Sequence, residues 1–188
     1  MLFHVIKEIR NIVFVAVNGT LLRLRIFPAS SSCNKYFSLN SKAEKFDVLV
    51  ADIEQTGNKW FTKEVIEGDE YGTVVYHGRL EIHGNSLPVF IVLDNSVFSY
   101  IRVAITTTSI TAAAIKKVLP KLNELNQQYK VTKYYVNDED SNIYADISVP
   151  TTDDTFEPAV LVNLMLEVIK PHLDEVHPDL LKIVGQAK

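Results

Sequence analysis

Residues 73–83 read Thr-Val-Val-Tyr-His-Gly-Arg-Leu-Glu-Ile-His, and this alternation limits what the chain can fold into more than any other feature. Val74, Tyr76, Leu80 and Ile82 fall on one face of a strand, and Thr73, His77, Arg79, Glu81 and His83 on the other. A period of two with one apolar and one polar face belongs to an antiparallel sheet that is wet on one side. Turn signals flank it. Trp60–Ile66 precedes it and ends at Glu67-Gly68-Asp69, Gly84-Asn85-Ser86 leads on to Leu87–Leu93, and Asp94-Asn95-Ser96 leads to Phe98–Thr106. Leu87–Leu93 is apolar apart from Pro88, which has no N–H to donate, so the ladder is expected to be open on that side.

Helical spacing brackets these strands. Ser41-Lys42-Ala43-Glu44 has the form of a capping box. Phe46, Leu49, Val50 and Ile53 then recur on one stripe, and Gly57 suits the left-handed residue after a helix end. A second helix is predicted over Ser109–Gln128, burying Ile110, Ala114, Val118, Leu122 and Leu125, with Pro120 expected to kink or split it. Strands Val131–Val136 and Ile143–Val149 follow, joined by Asn137–Asn142. Asp154 or Thr155 is the expected cap of a third helix with the stripe Phe156, Val160, Leu161, Leu164, Met165 and Val168. Pro171 should end or bend it, and Pro178 should open a last short helix through Leu180, Leu181 and Val184. The predicted order is α-β-β-β-β-α-β-β-α-α. The class is α+β, a single antiparallel β-sheet packed against helices.

Residues 1–40 differ in character. Lys7, Arg10, Arg23, Arg25 and Lys35 stand against Glu8 alone, so this stretch carries +4 of a net charge of −4 and the rest carries −8. It also holds Cys33, the one cysteine, which excludes an internal disulfide framework and a thiolate-based zinc site. Asn18-Gly19 between Ile12–Val17 and Leu21–Phe27 is a strong hairpin signal. The composition break suggests an N-terminal extension, 1–40, ahead of a domain at 41–188, with the natural chain starting near Ser41. An export signal within 1–33, which would make this a cell-surface protein, is the competing reading of the same stretch. The acidic balance does not suggest a nucleic-acid groove, and no window has the roughly 18 apolar residues of a membrane span.

Several groups have the residue types of a site. Asp138, Asp140 and Asn142 open like a calcium loop, but Ile143 replaces its glycine and Val149 its closing glutamate, so a solvated turn is the simpler reading. His77 and His83 share a face at about 20 Å, too far apart to hold one metal. His172, Asp174, Glu175 and His177 are metal-ligand types without a known ligand spacing. Thr106-Thr107-Thr108-Ser109 would serve either an anion or an ordinary cap. No phosphate loop and no nucleophile elbow is present. No residue is therefore assigned a catalytic, cofactor-binding or metal-binding role. Tyr134 and Tyr135 are adjacent on one strand, so one of them must face outward, which marks an interface.

Within Ile101–Val184, an extended strand enters an amphipathic helix with Leu122-Asn123-Glu124-Leu125-Asn126, followed by Lys133-Tyr134-Tyr135-Val136. The acidic turn Asp138-Glu139-Asp140 leads into Ile143–Val149, and an apolar helix closes near His177-Pro178. This stretch resembles the YbjN-like family, whose fold is similar to that of type III secretion chaperones. With Ser41–Leu93 the similarity covers about 41–184. The resemblance implies a small bacterial cytoplasmic protein, regulatory or chaperone-like, with no catalytic residues to carry over. The expected function is a non-enzymatic protein-binding module that engages a protein partner, or a second copy as a homodimer, through an open sheet edge or a helix face. The alternative is a small-ligand sensor or enzyme with a pocket between sheet and helices, lined by His77, Arg79 and Glu81.

Overall fold

The computed structural model describes residues 40–186 together with the strands Val13–Val17 (β1) and Thr20–Leu24 (β2). The chain divides into two units, 1–36 and 37–188. In the first, β1 and β2 pair antiparallel from Val13↔Leu24 to Val17↔Thr20, as the hairpin signal predicts. Cys33, the start proposed near Ser41 and the export reading lie outside the described residues.

In the second unit, helix α1 (Ser41–Gln55) precedes β3 (Thr62–Val65), β4 (Val74–Ile82), β5 (Asn85–Leu93) and β6 (Phe98–Ala104). Helix α2 (Ala112–Gln128) leads to β7 (Thr132–Val136) and β8 (Ile143–Pro150). A helical run closes the unit: α3 (Pro158–Asn163), a π-helical segment (Leu164–Ile169) and α4 (Lys170–Val184). The six strands form one open antiparallel sheet in the order β3-β4-β5-β6-β8-β7. The class is α+β, with three helical runs in the order α-ββββ-α-ββ-α.

The alternation expected at 73–83 sets the core. Val74, Tyr76, Leu80 and Ile82 are buried beside Ile91, Ile101 and Ile147 of neighbouring strands. Phe46 of α1, Val118 and Leu122 of α2, and Leu161 and Leu173 of the last run share that cluster. The outer face is not uniformly wet, because Val75 and Val92 are also buried. At Pro88 the ladder to β6 is open as expected: β5–β6 pairing begins at Val89↔Val103.

The start of α1 is one residue earlier than the capping box suggests. Asn40 is the cap; its Oδ1 accepts from the Ala43 N–H at 3.0 Å, and its amide donates to Gly72 O and Leu93 O. An amide side chain can cap the helix and donate to the sheet at once, whereas a serine hydroxyl lacks the reach. Ser41 Oγ is instead buried without a partner among the described residues. Likewise α2 starts at Ala112, with Thr111 Oγ1 accepting from the Ala114 N–H. Pro120 does not split it, and all five residues of the expected stripe are buried.

The last run departs most from expectation. Neither Asp154 nor Thr155 is its cap; Glu157 precedes Pro158 at the first turn without a side-chain cap bond. Instead of two helices broken by prolines there is one continuous run. A proline removes the N–H that would reach the carbonyl four residues back, and its ring clashes there. Before Pro171 the chain widens into the π segment, where the Lys170 N–H reaches Met165 O, five residues back. At Pro178 the carbonyl left without a helical donor is Asp174 O, and His83 Nε2 donates to it at 2.7 Å from the turn after β4. At the end of the π turn Ile169, rather than Val168, continues the buried stripe. Met165, Ile169 and Leu173 point inward, while Val160 and Val168, expected inside, are exposed.

Gly78 is the one residue of the β4 inner row without a side chain. On the β3–β4 register, in which Thr62 faces His77, the position opposite Gly78 is Phe61. Phe61 is buried, its ring lies across Gly78, and it meets Phe46 edge-on at 5.5 Å. A Cβ at 78 would stand 3.0 Å from the Phe61 ring and 3.1 Å from Val89 Cγ1. A strand glycine replaced by alanine would otherwise gain about 0.5–1 kcal/mol. Here overpacking outweighs that gain, and Gly78→Ala is expected to destabilise the fold by about 1–3 kcal/mol in urea denaturation. Unchanged or increased stability would contradict this packing.

Candidate functional site: the open edge of β4

The two borders of the sheet are treated differently. At the β7 border, the Asn126 side chain of α2 takes up the outward main-chain groups of Tyr134. Its Oδ1 accepts from the Tyr134 N–H at 2.7 Å, and its Nδ2 donates to Tyr134 O at 3.0 Å. An amide reproduces the pattern of a neighbouring strand and closes that position to pairing. At the other border β3 is short, and all four of its residues are exposed. It covers β4 only as far as His77.

Which β4 groups does that leave bare? The Ile66 N–H donates to Thr73 O at 2.9 Å, so Thr73 directs its main chain toward β3. In an antiparallel ladder, alternate residues direct N–H and C=O to the same side. Val75 and His77 therefore face β3, while Gly78, Leu80 and Ile82 face β5. The next two residues of the outward set, Arg79 and Glu81, lie past the end of β3, with no strand opposite them among the described residues. The ladder stops at Thr62, next to the point where the Phe61 ring lies across Gly78.

A groove of about 620 Å³ runs along this gap. Trp60, nearly half exposed, and Phe61 line it together with Met165 and Leu166 of the π segment, Lys59 and Lys170, and Pro88 and Phe90 of β5. Leu80, Arg79 and Glu81 line its floor and rim. The π segment before Pro171 thus also shapes the site. His77, Arg79 and Glu81, the residues named for a sensor or enzyme pocket, do border one groove, but it lies open along a sheet edge. His77 is drawn off toward Glu64, with Nε2 2.7 Å from Oε2.

The other groups are brought into structural contacts. Asp140 Oδ1 accepts from the Asn142 N–H and Oδ2 from the Tyr144 hydroxyl, as befits a tight turn between β7 and β8. Burial would raise the Asp140 pKa, but these hydrogen bonds outweigh it and hold the carboxyl below its ordinary value; burial and the same contact push Tyr144 up to about 12. Thr106 Oγ1 accepts from the Ile143 N–H and Ser109 Oγ donates to Asp140 O, so this junction ties α2 to that turn. Of the tyrosine pair, Tyr134 points inward and its hydroxyl lies 2.7 Å from His172 Nε2. Tyr135 is on the outer face beside Tyr144, flanking the bidentate Arg102–Asp146 pair.

His172 and His177 do not converge with Asp174 and Glu175; among the described residues no three metal-ligating side chains do so. His172 lies against the Tyr129 ring, and His177 Nε2 donates to Ile105 O at 3.2 Å. No helix among the described residues is long and apolar enough to cross a membrane. Comparisons with protein families, curated proteins and solved structures found no match to this chain.

Burial lowers the pKa of both His172 and His177, and each Nδ1 is buried without a partner. An unfolded histidine titrates near 6.5. Between that value and the lower folded values the unfolded chain binds more protons, so stability rises with pH across this window. Thermal melts should therefore be level above about pH 6.5 and fall as the pH drops below it, with a shallower fall in His177→Gln. A melting temperature unchanged from pH 7.5 to 5.5 would contradict the burial of these rings.

Proposed function

We propose that this chain is a YbjN-like, non-enzymatic protein-binding domain, chaperone-like or regulatory, that holds an extended protein segment along the open edge of β4. The observation that carries the reading is the pair of outward-facing residues without a facing strand, Arg79 and Glu81, at the floor of a groove with apolar walls. An incoming strand would gain main-chain hydrogen bonds from these residues. Its inward-pointing side chain would meet Leu80, Met165 and Leu166. The groove is only partly enclosed and runs beside main-chain groups that have no facing strand, which suits a segment of chain. The order of elements and the Lys133–Val136 strand that follows an amphipathic helix support the family reading. The same resemblance favours action in the bacterial cytoplasm.

The parity of β4 supplies a clean test. A proline at 79 removes an N–H that faces the groove and leaves the β4–β5 ladder intact, and edge strands tolerate such prolines. Arg79→Pro is expected to keep the circular dichroism spectrum of the parent while losing the companions that the parent captures. Equal capture by both proteins, or no companion specific to the parent, would contradict the reading.

A further inference from the structure

The uncovered stretch of β4 has one closed end. On the β3–β4 register the position opposite Gly78 belongs to Phe61, and Trp60 and Lys59, which precede it, line the groove without pairing to β4. A strand added opposite Glu81, Leu80 and Arg79 must therefore end at Arg79 or turn off the sheet. Beyond Ile82 the chain turns toward β5, away from this border, so an added strand can enter from that side. Running antiparallel to β4, it puts its carboxyl end at the closed end. Running parallel, it puts its amino end there.

Charge decides between the two directions. Lys59 and Arg79 are both exposed, and neither has a carboxylate partner among the described residues. Arg79 reaches only Ser86 O, at 3.4 Å. The other charges of the groove are engaged or lie further along. Lys170 donates to Asp174 at 2.7 Å, His77 lies 2.7 Å from Glu64, and Glu81 stands two residues beyond Arg79. In a chain of net charge −4, the closed end thus presents two cations that no carboxylate of the described residues neutralises. An amino terminus there would meet like charge, whereas a terminal carboxylate meets its complement.

We propose that the occupant of the β4 edge is the carboxyl-terminal end of another protein, laid antiparallel to β4, with its terminal carboxylate held by Lys59 and Arg79. This rests on the strand-pairing reading above and names its partner. Strand addition and capture of a chain terminus are both recurrent ways of recognising peptides. The last residue of the partner lies opposite Arg79 and exchanges main-chain hydrogen bonds with it. The residue before it falls opposite Leu80, on the inner face beside Met165 and Leu166, and is apolar. The one before that falls opposite Glu81 on the outer face, where a basic side chain is favoured. Read toward the end of the partner, the sequence is basic, apolar, any residue, free carboxylate.

Trp60, the one tryptophan of the chain, lines this groove, so its fluorescence reports occupancy in the full-length protein. The probe is the acetylated peptide Ser-Thr-Val-Lys-Leu-Thr with a free carboxyl end, compared with its carboxyl-terminal amide and with a form lengthened by Ser-Thr-Ser at that end. The free acid should shift the emission saturably. The amide should bind about tenfold more weakly, having lost two ion pairs to exposed cations. The lengthened form should be weakened as well, because it must displace Phe61 or leave the sheet. Lys59→Gln and Arg79→Gln should each remove about threefold of the difference between acid and amide, with the affinity for the amide unchanged. Equal binding of all three peptides would overturn capture of a chain end and leave strand pairing standing. An acid–amide difference that survives both variants would overturn the roles of Lys59 and Arg79. Absence of binding by any peptide would overturn the proposal, and strand pairing would then stand or fall with the Arg79→Pro capture.

Discussion

The contact between Gly78 and the Phe61 ring governs the rest of the arrangement. It fills the one gap in the inner row of β4 and anchors the chain before β3 to Phe46 of α1, at the point where the β3 ladder ends. A side chain at 78 would hold the ring away. Next to the contact that completes the core, the main-chain groups of Arg79 and Glu81 have no strand opposite them among the described residues. Exposed edges invite association, and proteins usually close them. This chain closes one position of the β7 edge with Asn126 and leaves a short stretch of the β4 edge without a facing strand among the described residues, beside a groove lined by Trp60, Phe61, Met165 and Leu166 and by Lys59 and Lys170.

The last helical run shows how a side chain from a distant turn and a change of helix pitch can absorb prolines. The π segment precedes Pro171, and at its end Ile169 rather than Val168 is buried. His83 takes up Pro178 by donating to the carbonyl that the proline leaves free. That bond joins α4 to the turn that ends β4, so the groove's helical wall and its floor are held to each other from two directions.

Much of this was legible in the residues. Strict alternation marked β4, the turn triplets marked the hairpins, and every residue of the expected α2 stripe is buried. The errors fell where a partner distant in sequence decides the outcome. Asn40 outcompetes Ser41 as a cap because its amide also reaches Gly72 and Leu93. Val168 is exposed because helical periodicity assumes a constant pitch and the π segment changes it; the exposure of Val160, upstream of that segment, has no structural explanation. Gly78 was visible only as a break in the inner row. What it admits is the Phe61 ring, which the strand pattern does not reveal.

Amide hydrogen exchange, read residue by residue in dilute monomeric protein, tests the central claim most directly. The account predicts alternation along the end of β4: slow exchange at Gly78, Leu80 and Ile82, which bond to β5, and fast exchange at Arg79 and Glu81. Equal protection at all five would mean that the edge is already covered, and the binding site described for it would not exist.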